Sequence, residues 1–179
     1  MTTTITKHPF GDKASPKYAD IGTVIHGTMK ARDLIPAFLD EIERLGQHKI
    51  GTVIHGAITT KFPHSGITDI IDSYINNADE YLDSEEAEDD IHCLMDELNS
   101  MAPPYVYFGA HCGDGSDFGF WPDWDAMEQA VLDREMIKVF DLADIRNTYT
   151  GAVMVVNDYG YVTFGIAEDG GFFSIWASA

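Results

Sequence analysis

The segment from His111 to Asp117 holds the residue types best suited to chemistry in this chain of 179 residues. Its carboxylates and the hydroxyl of Ser116 stand among glycines, and flexible oxygen ligands are what calcium and magnesium bind. The ligands of this metal hypothesis are His111, Asp114 and Asp117, with either His26 or His55. The segment lacks the later acidic positions of an EF-hand loop. A tight β-hairpin, in which Asp and Gly tolerate unusual backbone angles, explains the same residues, and we favour it.

Other signatures of catalysis or metal binding in the chain are incomplete. Asp117-Phe-Gly119 matches the kinase triplet, but no glycine-rich loop or catalytic loop accompanies it. Ser116 lacks a nucleophile elbow, because Asp114 stands where the first glycine of G-x-S-x-G belongs. The pairs His92-Cys93 and His111-Cys112 are adjacent residues, whereas structural zinc ligands are usually spaced by two or more residues. The sequence therefore predicts no catalytic residue, no metal and no cofactor.

The charge of the chain is segregated. Between Phe62 and Asp133 there are 18 Asp and Glu and no Lys or Arg, within a formal net charge of −19. A field of this strength and sign excludes nucleic acid and anionic membranes as partners and attracts basic protein surfaces. The sequence therefore predicts the kind of partner without naming it.

The densest acidic stretch predicts charge mimicry of DNA. Duplex DNA carries about one negative charge per 1.7 Å of its axis, and nucleases, repressors and CRISPR effectors read phosphates mainly with Lys and Arg. Fixed carboxylates at a similar density would fit the same groove. The predicted partner-binding residues are Asp79, Glu80, Asp83, Glu85, Glu86, Glu88, Asp89, Asp90, Asp96 and Glu97. The alternative is a solvated helix face, which is the commoner origin of such a stretch.

Helices must position these carboxylates. Apolar residues at helical spacing predict four helices in the chain. The first has Asp33 as its cap and ends at Gly46, and the second covers 67–82. The third follows a capping-box-like start with Asp83 in the cap position and stops before Pro103. The fourth begins near Trp124.

The remaining elements are predicted strands. The heptapeptide Ile21–Gly27 returns unchanged at Ile50–Gly56, and each copy suits a short strand. The segments 105–109 and 118–121 should pair across a loop at 110–117. The last thirty residues predict a meander with turns at 157–160 and 168–171.

Together these patterns predict an α+β fold, in which an acidic layer of three to four helices packs on a small antiparallel β-sheet that ends in a C-terminal meander. A flexible arm is predicted for 1–20 and one domain for 21–179.

Two segments, Tyr107–Pro122 and Val155–Gly160, resemble small uncharacterised acidic proteins encoded by phages and mobile elements. The resemblance implies a mobile element inside a bacterial cell and no catalytic role. The chain shows no run of signal-peptide length at its start and no membrane span, and its two cysteines fit a reducing compartment. We therefore expect a cytoplasmic protein, in the host cytoplasm if a phage encodes it.

These observations predict an acidic, non-enzymatic inhibitor of a restriction, CRISPR or other nuclease factor. Its partner would be a basic nucleic-acid-binding host protein, with no direct binding to nucleic acid or membrane, and a homodimer is left open. One alternative is a metal-dependent enzyme or metal-binding module that uses the His111–Asp117 segment. Another is a structural or assembly protein of a virion, closed into a symmetric oligomer by apolar surface.

Overall fold

A computed structural model describes residues 20–46 and 65–178. The chain divides into two compact units, which meet along the sequence between Trp121 and Pro122. We call the described residues up to Trp121 the helical unit and those from Pro122 onward the C-terminal unit. The predicted α+β class is confirmed. The single domain over 21–179 stays a prediction, and the arm predicted for 1–20 lies, except for Asp20, outside the described residues.

The helical unit contains three α-helices and three strands. They are β1 (Gly22–His26), α1 (Ala31–Gly46), α2 (Ser65–Tyr81), α3 (Glu85–Ser100), β2 (Val106–His111) and β3 (Asp114–Pro122). The first copy of the heptapeptide forms β1, as predicted, whereas the second copy lies outside the described residues.

The core of the helical unit is built from the apolar stripes of its helices and from phenylalanines of its sheet. Phe38 of α1 contacts Phe108 edge-on, with ring centroids 5.0 Å apart, and Phe108 contacts Phe120 at 4.9 Å. Each large apolar side chain buried in this way contributes about 1.5–3 kcal/mol. The buried apolar residues of the three helices are Leu34, Ile35, Phe38, Ile42, Ile67, Ile70, Ile71, Tyr81, Ala87, Leu94 and Leu98.

The sheet of this unit has the order β1-β3-β2. β1 runs antiparallel to β3, with Gly22 opposite Phe120 and His26 opposite Asp117. The two strands approach closely at Gly119, where a Cβ would overlap the carbonyl oxygen of Gly22. Glycine is therefore required there.

β2 and β3 form the hairpin that we favoured for His111–Asp117. The strands extend through most of this segment and leave a two-residue connection at 112–113, so the predicted loop at 110–117 is wrong. The reason is the third strand: the ladder of β1 continues to the Gly27 N–H, which donates to the Ser116 carbonyl at 2.9 Å. Pairing across strands thus overrides the turn tendency of Asp and Gly.

The starts of two helices differ from the predictions. α1 begins at Ala31, because the Lys30 carbonyl accepts the first helical hydrogen bonds, from the N–H groups of Asp33 and Leu34 at 3.0 Å. α3 is capped by Ser84 and not by Asp83. The Ser84 backbone is extended, as a cap requires, and its Oγ accepts from the Ala87 N–H at 3.3 Å.

The C-terminal unit packs one α-helix and one short 3₁₀-helix with a four-stranded sheet. Its elements are α4 (Trp124–Leu132), β4 (Met136–Val139), the 3₁₀-helix (Leu142–Asp144), β5 (Gly151–Val156), β6 (Val162–Glu168) and β7 (Gly171–Ala177). The antiparallel meander β5-β6-β7 is confirmed. Its last turn has Asp169 at φ 52° and Gly170 at φ 76°, the backbone of a type I′ hairpin.

The sequence predicts one antiparallel sheet, whereas the described residues form two. β4 joins the meander in parallel to β5. The intervening segment 140–150, which contains the 3₁₀-helix, makes the crossover that a parallel pair needs. This crossover is mostly irregular, so no helical or alternating pattern announces it.

Candidate functional site

The ten predicted partner-binding residues lie on one connected stretch of the helical unit. The stretch comprises the end of α2, the corner at 82–84 and α3, and we call these ten residues the acidic face. Eight of them are exposed, while Asp90 and Glu97 are half-buried. The structure therefore brings together all the carboxylates that the sequence singled out.

α3 carries most of the acidic face because its apolar residues need only one side of the helix. Ala87, Leu94 and Leu98 are fully buried, which leaves the other positions to solvent. The helix has 16 residues and so measures about 24 Å. Its seven carboxylates average one per about 3.4 Å of axis, a linear density equal to that of phosphates along one strand of duplex DNA, although five of them lie at 85–90 and two at 96–97. These seven are Glu85, Glu86, Glu88, Asp89, Asp90, Asp96 and Glu97.

Few basic groups within the described ranges reach the acidic face. Arg32 of α1 donates from Nη2 to Asp83 Oδ1 at 3.1 Å, and both side chains are exposed. Arg44, on the same helix, instead pairs with Glu41 at 2.6 Å. The Arg32–Asp83 pair is the one ion pair that joins the face to a described basic residue.

Asp90 has a neutral partner. It accepts a hydrogen bond from Tyr81 Oη at 2.8 Å. Burial of the Tyr81 ring, followed by this hydrogen bond, raises the pKa of the phenol well above its usual range. The phenol therefore stays protonated and holds the Asp90 carboxylate in place within the face.

Repulsion between like charges of the acidic face destabilises α3. Glu85 and Asp89, like Glu86 and Asp90, are four residues apart, and such like-charge pairs destabilise a helix by about 0.2–0.5 kcal/mol each. The positive end of the helix dipole offsets this for the first-turn residues, but it gives no support to Asp96 further along α3. Helix stability alone therefore does not account for the acidity, and a covering cationic surface would relieve the repulsion.

The residues of the metal hypothesis are engaged in the hairpin itself. Asp114 Oδ1 accepts from the backbone N–H of Ser116 at 3.0 Å and from its Oγ at 2.8 Å. These two bonds lower the pKa of Asp114. His111 Nδ1 accepts from the Gly113 N–H at 3.2 Å, and its ring packs edge-on against Trp121. The ligand atoms therefore already serve the turn.

The rest of the proposed metal set is not assembled. Asp117 Oδ2 accepts from Thr23 Oγ1 at 3.3 Å, and its Oδ1 is buried without a hydrogen-bond partner in the described structure. His55 lies outside the described residues. Within residues 20–46 and 65–178, no three His, Cys, Asp or Glu side chains are grouped so that they could hold a metal ion. Cys93 and Cys112 are both free and exposed.

The structure has a groove beside the corner at 82–84 that the sequence did not predict. The loop before α1 and the first turn of α3 enclose it, with Met29 and Arg32 on one side and Asp83 on the other. Arg32 and Asp83 are 51 positions apart. No local pattern predicts a contact at that separation, so neither Met29 nor Arg32 could have been selected from the sequence.

Comparison of the chain with protein-family models, with curated proteins and with solved structures finds no match. None of the helices in the described part of the chain is long and apolar enough to cross a membrane.

Proposed function

We propose that this protein is an acidic, non-enzymatic inhibitor that binds a basic nucleic-acid-handling protein through the acidic face. The observation that supports the proposal most directly is the charge of the face: ten carboxylates lie between Asp79 and Glu97, and eight of them are exposed. The carboxylates would take the places of phosphates in the partner's groove.

The proposed mechanism is competitive and needs no chemical step. A groove that binds DNA presents Lys and Arg at the spacing of backbone phosphates. α3 offers carboxylates at a comparable linear density on a rigid helix, so little conformational entropy is lost when they bind. Long-range attraction between opposite charges would make association fast and sensitive to salt.

The proposed setting is the cytoplasm of a bacterial host, where a phage or mobile element would use such a protein against restriction, CRISPR or another nuclease. Charge of this sign repels both nucleic acid and anionic membranes, so a basic protein is the fitting partner.

Retention of host proteins on the immobilised full chain tests this proposal. We expect a nuclease, polymerase, repressor or CRISPR complex to be retained at low salt, released at high salt, and inhibited by the free protein. Reversal of four charges, Glu85→Lys, Glu86→Lys, Glu88→Lys and Asp89→Lys, should abolish both retention and inhibition. Undiminished inhibition by this variant would contradict the proposal.

A second candidate is a structural or assembly protein of a virion, and the surface of the C-terminal unit favours it. Large apolar side chains stand exposed there, and surface of this kind often closes symmetric oligomers. They are Trp124, Leu132, Phe140, Leu142, Tyr159 and Tyr161. Light scattering coupled to size exclusion separates the candidates: the inhibitor proposal expects a monomer or dimer, and the assembly proposal expects a larger closed oligomer.

A further inference from the structure

The groove beside the corner, which we call the corner groove, has a volume of about 590 Å³ and lies wholly within the helical unit. Its apolar lining comes from Met29, Leu82 and Ile91. It is an open groove at the surface, in which these apolar side chains stand beside charged ones. The corner groove also borders the acidic face, so a partner held by that face would reach it.

The charges of the corner groove are arranged on two sides. The α1 side contributes Lys30 and Arg32, and the corner and α3 contribute Asp83, Glu85 and Glu88. Three carboxylates thus face two cations. Of these three carboxylates, only Asp83 has an ion pair with a residue in the described ranges. The carboxylates of Glu85 and Glu88 are exposed and accessible to a further cation.

One arginine of the protein already pairs with a carboxylate of the corner groove. The guanidinium of Arg32 meets Asp83 through one nitrogen and one oxygen, at 3.1 Å. Both side chains remain exposed, 49% for Arg32 and 71% for Asp83. A single exposed contact of this kind is weak, about 0–1 kcal/mol, so a better-placed guanidinium could displace it.

We infer that the corner groove anchors an arginine side chain of the basic partner, an inference that rests on the proposed function and specifies where the partner is recognised. The incoming guanidinium pairs with the carboxylates of Asp83, Glu85 and Glu88, and its aliphatic stem lies against Met29 and Leu82, as arginine stems do on apolar surfaces. A planar guanidinium can bind carboxylates through two parallel hydrogen bonds, whereas a lysine ammonium acts as a point charge. The carboxylates and the apolar lining together favour arginine over lysine at the corner groove.

Two peptides of equal length and charge test this selectivity: one in which arginine alternates with glycine, and its lysine counterpart. Fluorescence anisotropy with the full chain at low salt measures both affinities. We expect the arginine peptide to bind about five- to tenfold more tightly, because a guanidinium makes two parallel hydrogen bonds to one carboxylate, whereas an ammonium acts as a point charge.

Two triple variants, each lacking three negative charges, locate the preference. The groove variant carries Asp83→Asn, Glu85→Gln and Glu88→Gln, and the control variant carries Glu86→Gln, Asp89→Asn and Asp96→Asn. Both should bind each peptide more weakly. The preference for arginine should disappear in the groove variant and persist in the control variant.

A pair of single variants tests the displacement of Arg32. Arg32→Ala and Arg44→Ala each remove one positive charge from α1, but only Arg32 lines the corner groove. Arg32→Ala should tighten binding of the arginine peptide about two- to fivefold, because a competing surface pair is lost, and Arg44→Ala should tighten it less. Equal effects would contradict the displacement.

The outcomes separate this inference from the proposed function. If both peptides bind in a salt-sensitive way but with equal affinity, or if the groove variant keeps its preference, the arginine anchor is wrong and the acidic face stands. If neither peptide binds at low salt, the proposed function fails together with the anchor.

Discussion

The two units of this chain present different kinds of surface. The described residues of the helical unit, 20–46 and 65–121, carry 19 Asp and Glu and 3 Lys and Arg, whereas residues 122–178 carry 10 acidic and 3 basic residues. Of the exposed large apolar side chains in the described structure, the helical unit has Met29 and Ile75, and the C-terminal unit has the other six. The helical unit thus carries the larger negative charge, and the C-terminal unit carries most of the exposed large apolar side chains.

The cores explain part of this difference. In the helical unit, the phenylalanines of α1, β2 and β3 meet ring against ring, so the apolar residues are used internally and the outer positions can be charged. In the C-terminal unit, Trp176 contacts Trp124, which stays 40% exposed. The helical unit therefore suits electrostatic recognition, and the C-terminal unit suits apolar contact.

The largest expected effect concerns stability, because the buried core of the helical unit should tolerate truncation least. Phe108 is 2% exposed and contacts two other rings. Phe108→Ala should lower the free energy of unfolding by about 3–5 kcal/mol. The matched control is Phe140→Ala in the C-terminal unit, where the ring is 69% exposed and the change should stay within about 0.5 kcal/mol. Urea unfolding measures both, and equal losses would contradict the assignment of Phe108 to a packed core.

The next largest effect concerns binding, and it compares charge reversal in the helical unit with charge reversal in the C-terminal unit. Reversal of the four charges at Glu85, Glu86, Glu88 and Asp89 should weaken affinity for a basic partner about 100-fold, because repulsion across an interface costs several kcal/mol. The control reverses four exposed charges of the C-terminal unit and should weaken binding far less. Its substitutions are Asp125→Lys, Glu128→Lys, Glu135→Lys and Asp144→Lys. Titration calorimetry measures both, and equal losses would mean that net charge, and not the acidic face, determines binding.

A smaller effect tests the start of α3. Ser84→Ala removes the capping hydroxyl and should cost about 1 kcal/mol of stability. Asp83→Asn should cost less, since it only weakens an exposed ion pair with Arg32. If thermal unfolding instead ranks Asp83→Asn as the more damaging change, Asp83 is the cap.

The smallest effect is a pH dependence at Tyr81, which packs under the acidic face. Its pKa in the folded protein lies above the ordinary value of 10.0. The unfolded chain therefore loses this proton first as pH rises. The protonated phenol stabilises the fold fully at pH values below its ordinary pKa of 10.0. This stabilisation is lost as the pH rises from that ordinary pKa toward the higher pKa of the folded protein.

Tyr81→Phe isolates this contribution. The variant should lose about 1 kcal/mol at neutral pH, the usual net value of a hydrogen bond such as the one to Asp90. It should also show a shallower alkaline decline of the free energy of unfolding than the unmodified protein. Parallel declines in the two proteins would show that Tyr81 does not contribute.

Local patterns in the sequence were enough to predict the helices and the meander. The spacing of Leu34, Phe38 and Ile42 defines the buried stripe of α1, and Asp169-Gly170 adopts the turn expected of that dipeptide. The acidic face was also predictable, because its members are neighbours in sequence and lie on helices whose apolar residues define the opposite side.

Features that depend on long-range pairing were not predictable. Strand β1 extends the ladder into 110–117, the parallel β4–β5 pair joins two segments across an irregular crossover, and the corner groove depends on Arg32 meeting Asp83. The cap of α3 was misassigned for a different reason. Asp83 and Ser84 are both good caps, and only the backbone angles of the folded chain decide between them.

Competition with DNA tests the central claim most directly. Proteins retained by the immobilised full chain are challenged with excess duplex DNA at constant ionic strength, beside the variant with the four α3 charges reversed. If the acidic face occupies a nucleic-acid groove, the duplex releases the retained proteins and the variant retains none of them. Proteins that stay bound in excess duplex, or that bind the variant equally well, would show that the acidic face is not what they recognise.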